Sequence, residues 1–274
     1  MTELANKTPG ISILLPTRGR TTMLRDSLLS LADRADDVSQ VEILLGVDHD
    51  DEKTIEWCEE NILPELDQRG CSYTMLGFDR LGYIRLNEYV NTLAAQAKGQ
   101  WLVFWGDDAV MLTQGWDQRI LEVDKFRVLR IPTHNQHPYA IFPIVPREWY
   151  ELFGYISAHQ LSDSWVSQIA YMTDIVQDIE VEVIHDRFDI TGNNNDDTFK
   201  NRPMLEGNIN DARDFNHISW RNRRVKDATK ISDHLEKQGY DMTWFRNVMA
   251  GKQNPWEKMT GPECDPNKQL TQYK

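Results

Sequence analysis

The chain has 274 residues, 40% apolar and 10% aromatic with nine tryptophans, a composition far too rich in core-forming side chains for a disordered polypeptide. Forty-three acidic against thirty basic residues give a formal charge of −13, which argues against a broad nucleic-acid footprint, because such binding is driven by cationic neutralisation of phosphates. No apolar run approaches a membrane span, the first ten residues lack a hydrophobic signal core, and Cys58, Cys71 and Cys264 have no metal-ligand spacing; together these point to a reducing cytoplasm.

The run ISILL (11–15), ended by Pro16, predicts a buried strand. In TTMLRDSLLSLADR (21–34), Leu24, Leu28 and Leu31 recur at helical spacing, with Thr21 or Thr22 placed to cap. VEILLGV (41–47) predicts a second strand with the acids DHDDE (48–52) at its end. A helix over 52–67 turns Ile55 and Ile62 inward, with Asp50 and Asp51 capping it. SYTMLGF (72–78) is a weaker strand. LNEYVNTLAAQAKG (86–99) repeats Leu86, Val90, Leu93 and Ala97 and closes on Gly99 as a C′ residue. WLVFW (101–105) is another buried strand, and Asp107 and Asp108 follow it at once.

Strands alternating with helices through short connections predict an open α/β sheet with parallel strands. Such sheets bind ligands at the carboxyl ends of their strands. That edge collects Thr17–Arg18, Asp48–Asp51 and Asp107–Asp108. Two adjacent carboxylates repel each other and are costly to desolvate, so they either merely end a strand or hold a cation.

Beyond residue 116 the pattern loosens. QRILEVDKF (118–126) is a helix candidate, YAIFPIV (139–145) a strand, and REWYELFG (147–154) a short helix closed by Gly154. DSWVSQIAYMTDI (163–175) reads as a helix with Asp163 at the N-cap, and IEVEVIH (179–185) as a strand ending on His185. The pair in HNQH (134–137) and the run DITGNNNDDTF (189–199) read as loop and turn, 201–218 as polar loop, and RVKDATKISDHLEKQG (224–239) as a helix with a charged outer face. The last two dozen residues read as an extended tail. The expected division is a catalytic unit over 1–200 with a helical and loop extension over 201–274 packed on it.

With these residues in place, the chain resembles nucleotide-sugar glycosyltransferases of the GT-A fold, of the family 2 type. ISILLPTRGR (11–20) is similar to that family's opening strand, and VEILLGVDHDD offers Asp48 where the family has a nucleotide-binding acid. LGYIRLNEYVNTLAAQAKGQWLVFWGDD (81–108) keeps Gly82, Asn87 and Gly99 in step, and FPIVPREWYELFGYISAHQLSDSW (142–165) supplies Arg147, Gly154 and Asp163. The likeness covers about residues 11–188. It departs in two places: Trp105-Gly106-Asp107-Asp108 stands where the family usually has Asp-x-Asp, and Ser162 rather than Glu precedes Asp163.

The resemblance implies an open, mostly parallel sheet flanked by helices with a C-terminal extension, and a metal-dependent, inverting transfer of sugar from a nucleotide-diphosphate donor to a hydroxyl acceptor. The cation would be manganese or magnesium, with Asp108 as direct ligand, Asp107 on the ribose or beside the metal, and His185 completing the shell. Pro16, Thr17, Arg18 and Asp48 would hold base and ribose, and Arg85, with Arg80, the diphosphate. Asp163 would be the general base. His159 and Trp165 would lie near the acceptor side. The plain readings stand beside these: His185 as a polar strand end, Asp163 as an N-cap only, His159 and Trp165 as packing, Arg20 as surface solvation. A nucleotidyltransferase is the second enzyme reading, although PTRGRTT has one glycine where a phosphate loop wants several; a binding or assembly protein with a degenerate site is the non-enzymatic one. The acceptor (glycan, lipid carrier, protein or modified nucleobase) is not legible, and the basic run WRNRRVK (220–226) together with the C-terminal tail keeps nucleic acid open.

Overall fold

The computed structural model describes residues 8–132, 137–186, 200 and 207–259. Strands β1 (Ile11–Thr17), β2 (Val41–Asp48), β3 (Ser72–Phe78) and β4 (Trp101–Phe104) are mutually parallel, with β1 between β2 and β4. They are joined by α1 (Thr21–Arg34), by a helical stretch of α2 (Glu52–Trp57), a π turn (Cys58–Ile62) and α3 (Leu63–Gln68), and by α4 (Leu86–Gln96). The π turn sits where Pro64 lacks the N–H that would continue the helical ladder.

Further along come β5 (Ala109–Met111), α5 (Trp116–Leu121), β6 (Val128–Arg130), β7 (Ile144–Pro146), α6 (Arg147–Phe153), α7 (Ser162–Thr173), β8 (Val176–Asp178) and β9 (Val183–His185). Helices α8 (Ile218–Lys237) and α9 (Thr243–Met249) follow, and both pack on α7. The main sheet has seven strands in the order β3-β2-β1-β4-β7-β6-β8, with β7 antiparallel to both neighbours, while β5 and β9 form a separate two-stranded sheet.

Strands β1 and β2 are buried along nearly their whole length and largely apolar because both faces are covered, and their buried polar side chains Ser12 and Glu42 hydrogen-bond to each other. Ile11, Ile13 and Leu15 of β1 pack with Leu24, Leu28 and Leu31 of α1, whereas Leu14 and Leu44 pack on the other face with Val90 and Leu93 of α4. Among the described residues no helix is long and apolar enough to cross a membrane.

Several expectations need correction. Helix α4 is capped at Ala97, so Gly99 is not its C′ residue. Gly99 instead abuts β1, where a Cβ would stand 2.6 Å from the Ser12 backbone nitrogen, and its N–H donates to Ser12 Oγ at 2.7 Å. Thr21 is the first residue of α1 rather than its cap; Arg20 holds the cap position without a side-chain cap bond. The strand expected over 139–145 is confined to Ile144–Pro146, because Pro143 has no N–H and the Ala140 N–H goes to Ser167 Oγ.

Helix α7 begins at Ser162 with Leu161 at the cap position, which puts Asp163 inside the first turn, not at the N-cap. Only Val183–His185 of the expected 179–185 strand is extended, and it pairs with β5 rather than joining the main sheet. Helix α8 starts six residues earlier than its charge pattern indicates, and its basic run turns partly inward: Arg224 is buried against Phe215, and Arg223 braces Tyr155 and Asp227. Pro255–Lys258 forms a 3₁₀ turn with Trp256 buried beside Tyr171, so this part of the expected tail is seated. His134, the 189–199 run and residues 260–274 lie outside the described residues.

Candidate active site at the carboxyl edge

Parallel β1, β2 and β4 all end on one side, which brings Thr17, Asp48 and the 105–108 turn together. Since β8 runs parallel to β6, and β6 in the same sense as β4, α7 must enter β8 from the opposite side. The start of α7, with Asp163, therefore lies at the same carboxyl edge.

The acid pair is held from several directions. Thr17 Oγ1 donates to Asp107 Oδ2 at 2.8 Å, and Arg20 Nη1 to Asp107 Oδ1 at 2.9 Å. The same Arg20 nitrogen stands 3.6 Å from Asp108 Oδ2, while His185 Nε2 stands 3.5 Å from Asp108 Oδ1. Pairing of Ala109 with His185 in the small sheet, together with the Asp186 N–H bonded to the Asp108 carbonyl at 2.7 Å, brings the histidine there. Its ring is further set edge-on to Phe142, centroids 5.0 Å apart.

The turn itself is pinned. Ser27 Oγ donates to the Gly106 carbonyl at 3.1 Å and accepts from Trp105 Nε1 at 2.9 Å. These contacts explain the departure from Asp-x-Asp. Trp105 is a core residue, and a Cβ at Gly106 would lie 2.6 Å from Asp108 Oδ1, so neither position has room for an acid while Asp108 keeps its place.

Electrostatics separates the two carboxyls. Burial and the charge of Asp108 push Asp107 up, against the pull of Arg20 and Thr17. Burial works to raise Asp108 as well, but the hydrogen bond and charge of His185, with Arg20, hold it below the usual carboxylate range. Asp107 has both oxygens engaged by side-chain donors, whereas Asp108 Oδ1 faces the His185 imidazole. The Asp108–His185 pair is thus the part of the cluster that could take a cation, with ligand phosphates and water filling the remaining positions. Among the described residues there is no group of three or more His, Cys, Asp or Glu disposed to bind a metal.

At the end of β2, Asp48 is buried with both oxygens occupied. Arg18 Nη1 donates to Oδ2 at 2.9 Å, and the Tyr89 hydroxyl donates to Oδ1. The Tyr89 oxygen in turn accepts from the Leu81 N–H at 2.9 Å, so Asp48 also organises the turn that leads into α4. Arg18 reaches on to Asp50, which raises the guanidinium pKa despite partial burial; Asp50 also lies 3.8 Å from Arg80. Asp51 does cap α2, accepting from the Thr54 N–H at 3.4 Å, and also takes the Gly19 N–H at 2.8 Å; Asp50 does not cap.

Other expected residues fall differently. Pro16 is internal to β1, opposite Gly46. Arg85 is exposed and paired with Glu88 one turn along, and Arg80, also exposed, lies 3.8 Å from Asp50. The Asp163 carboxylate accepts the Ser164 N–H at 2.7 Å. His159 and Trp165 are packing residues: His159 lies edge-on to Phe215 and Trp220, and Trp165 is fully buried. Two contributors escaped sequence reasoning. Tyr89 looks like a core position of α4. Arg20 looks like a solvated surface residue, yet its side chain is only 12% exposed. Its position was the missed signal, since a cation at a helix N-terminus is disfavoured by the helix dipole unless acids face it.

No family model matches the chain, and no curated protein matches it. Among solved structures, the mannosyltransferase PcManGT from Pyrobaculum calidifontis, in complex with GDP-Man and Mn2+, is 12% identical; the match covers 92% of this chain and 71% of that one, with a TM-score of 0.56. TarS 1–349 from S. aureus in complex with UDP is 15% identical over 65% of this chain, with a TM-score of 0.48; the match spans 58% of the TarS chain. The chain accordingly shares a mixed α/β fold with PcManGT, with a mostly parallel central sheet flanked by helices, as the resemblance implies.

Proposed function

We propose that the protein is a metal-dependent, inverting glycosyltransferase of the family 2 type, moving a sugar from a nucleotide-diphosphate donor to a hydroxyl acceptor. The observation that carries this reading is the 3.5 Å approach of His185 to Asp108 at the strand carboxyl edge, with Asp107 tied off by Thr17 and Arg20. A manganese or magnesium ion bound by Asp108 and His185 would neutralise the charge of the departing diphosphate. Thr17, Arg18 and Asp48 line the nucleotide end, and Arg80 is the cation best placed by its neighbours for the phosphates. Asp163, entering the same edge on α7, takes the acceptor hydroxyl proton as that oxygen attacks the anomeric carbon, which yields inversion when the base lies opposite the leaving group. The mannosyltransferase likeness supports a nucleotide-sugar donor, because that protein's complex contains GDP-Man and Mn2+. A cytoplasmic location is part of the same reading.

Nucleoside-diphosphate release from a panel of nucleotide sugars with Mn2+ tests the activity. The wild type should release product from one donor class, and Asp163→Asn should lose at least a hundredfold in rate while still binding that donor. An Asp163→Asn protein turning over at the wild-type rate would remove the assigned base, and no release from any donor would remove the activity.

A further inference from the structure

Arg20 stands in the acid cluster as a built-in cation. Its guanidinium is largely buried, 2.9 Å from Asp107 Oδ1 and 3.6 Å from Asp108 Oδ2. With Thr17 on the other oxygen of Asp107, it occupies one carboxylate and offsets one of the two adjacent negative charges before any ligand arrives. A divalent cation reaching Asp108 therefore meets a like charge nearby, in surroundings where Coulomb forces are weakly screened. A diphosphate entering with the cation supplies the negative charge that the protein withholds.

We infer that Arg20 is a positioning residue that makes cation binding depend on the nucleotide: it ties Asp107 away from the ligand set and keeps the metal affinity of the free protein low. This rests on the donor-and-cation reading above. Replacing Arg20 by glutamine should free Asp107 to join Asp108 and remove the repulsion, so the variant binds Mn2+ alone more tightly but gains less from the nucleotide. Arg20→Lys keeps the charge and should stay near the wild type.

The test is titration of Mn2+ into the full chain, with and without GDP or UDP, followed by calorimetry. The wild type should bind Mn2+ at least tenfold more tightly with nucleoside diphosphate than without. Arg20→Gln should bind Mn2+ alone at least tenfold more tightly than the wild type, and Arg20→Lys within about threefold of it. Unchanged or weaker Mn2+ binding by Arg20→Gln, in a variant that melts cooperatively, overturns the role of Arg20. Should that variant not fold, the wild type decides, since equal Mn2+ affinity with and without nucleotide also overturns it. Failure of the wild type to bind Mn2+ and nucleotide together is a separate outcome, which removes the underlying reading as well.

Discussion

Replacing Tyr89 with phenylalanine deletes one hydroxyl and isolates how the buried acid Asp48 is held. Burial, reinforced by Asp48, raises the Tyr89 pKa, so the phenol keeps its proton and donates it to the buried Asp48 carboxylate. The same oxygen accepts the Leu81 N–H at 2.9 Å. A hydrogen bond to a charged partner contributes about 1.5–3 kcal/mol, and an amide left without its acceptor costs about 1–3 kcal/mol where water cannot reach it. Leu81 sits in a turn that can relax, so roughly 3 kcal/mol is the expected total. For a chain of this size each kcal/mol lowers Tm by about 2–4 °C, which gives a drop of roughly 6–12 °C. Urea unfolding and a calorimetric melt of Tyr89→Phe measure both quantities. A variant within about 0.5 kcal/mol of the wild type would refute the claim that Tyr89 couples Asp48 to the turn before α4.

Three further outcomes follow from particular contacts. Burial, with Arg224 adding to it and the Arg213 carbonyl opposing, pushes His159 down to about 4. The unfolded chain therefore takes up the proton first as pH falls below about 6.5; the neutral-histidine stability is full above that pH and is lost progressively down to about 4, at a cost of about 2 kcal/mol by pH 5. Urea unfolding at pH 8 and pH 5 should show that loss in the wild type and a loss smaller by that amount in His159→Gln. Gly106→Ala crowds the mobile end of the Asp108 side chain at 2.6 Å, so cation binding with nucleotide should weaken by about tenfold or more while Tm moves little. Gly99→Ala meets β1 backbone instead and should cost about 1–3 kcal/mol of stability, read by denaturant unfolding.

The first hundred residues were legible because their elements are long and locally consistent. Strands buried on both faces read as continuous apolar runs, and Leu24, Leu28 and Leu31 mark one face of α1. Later strands of three residues, such as Val128–Arg130 and Val176–Asp178, carry no period of their own and exist because neighbouring strands pair with them. The acids of the site were found because each follows a strand. Of their partners, Thr17, Arg18 and His185 were found as well, but Arg20 was not, since it reaches Asp107 only through the adjacency of β1 and β4, 87 positions apart in that contact. Tyr89 was hidden by its own periodicity, which assigns the ring to the core correctly and says nothing of its hydroxyl.

Thermal stabilisation by nucleoside diphosphates with and without Mn2+, in the wild type and in Asp108→Asn, bears most directly on the central claim. The wild type should gain several degrees with one nucleotide only when Mn2+ is present, corresponding to about 2.7 kcal/mol at a hundredfold excess over Kd, and Asp108→Asn should lose that gain. Equal stabilisation with and without the cation, or an Asp108→Asn protein that responds like the wild type, would contradict a cation site at Asp108 and His185.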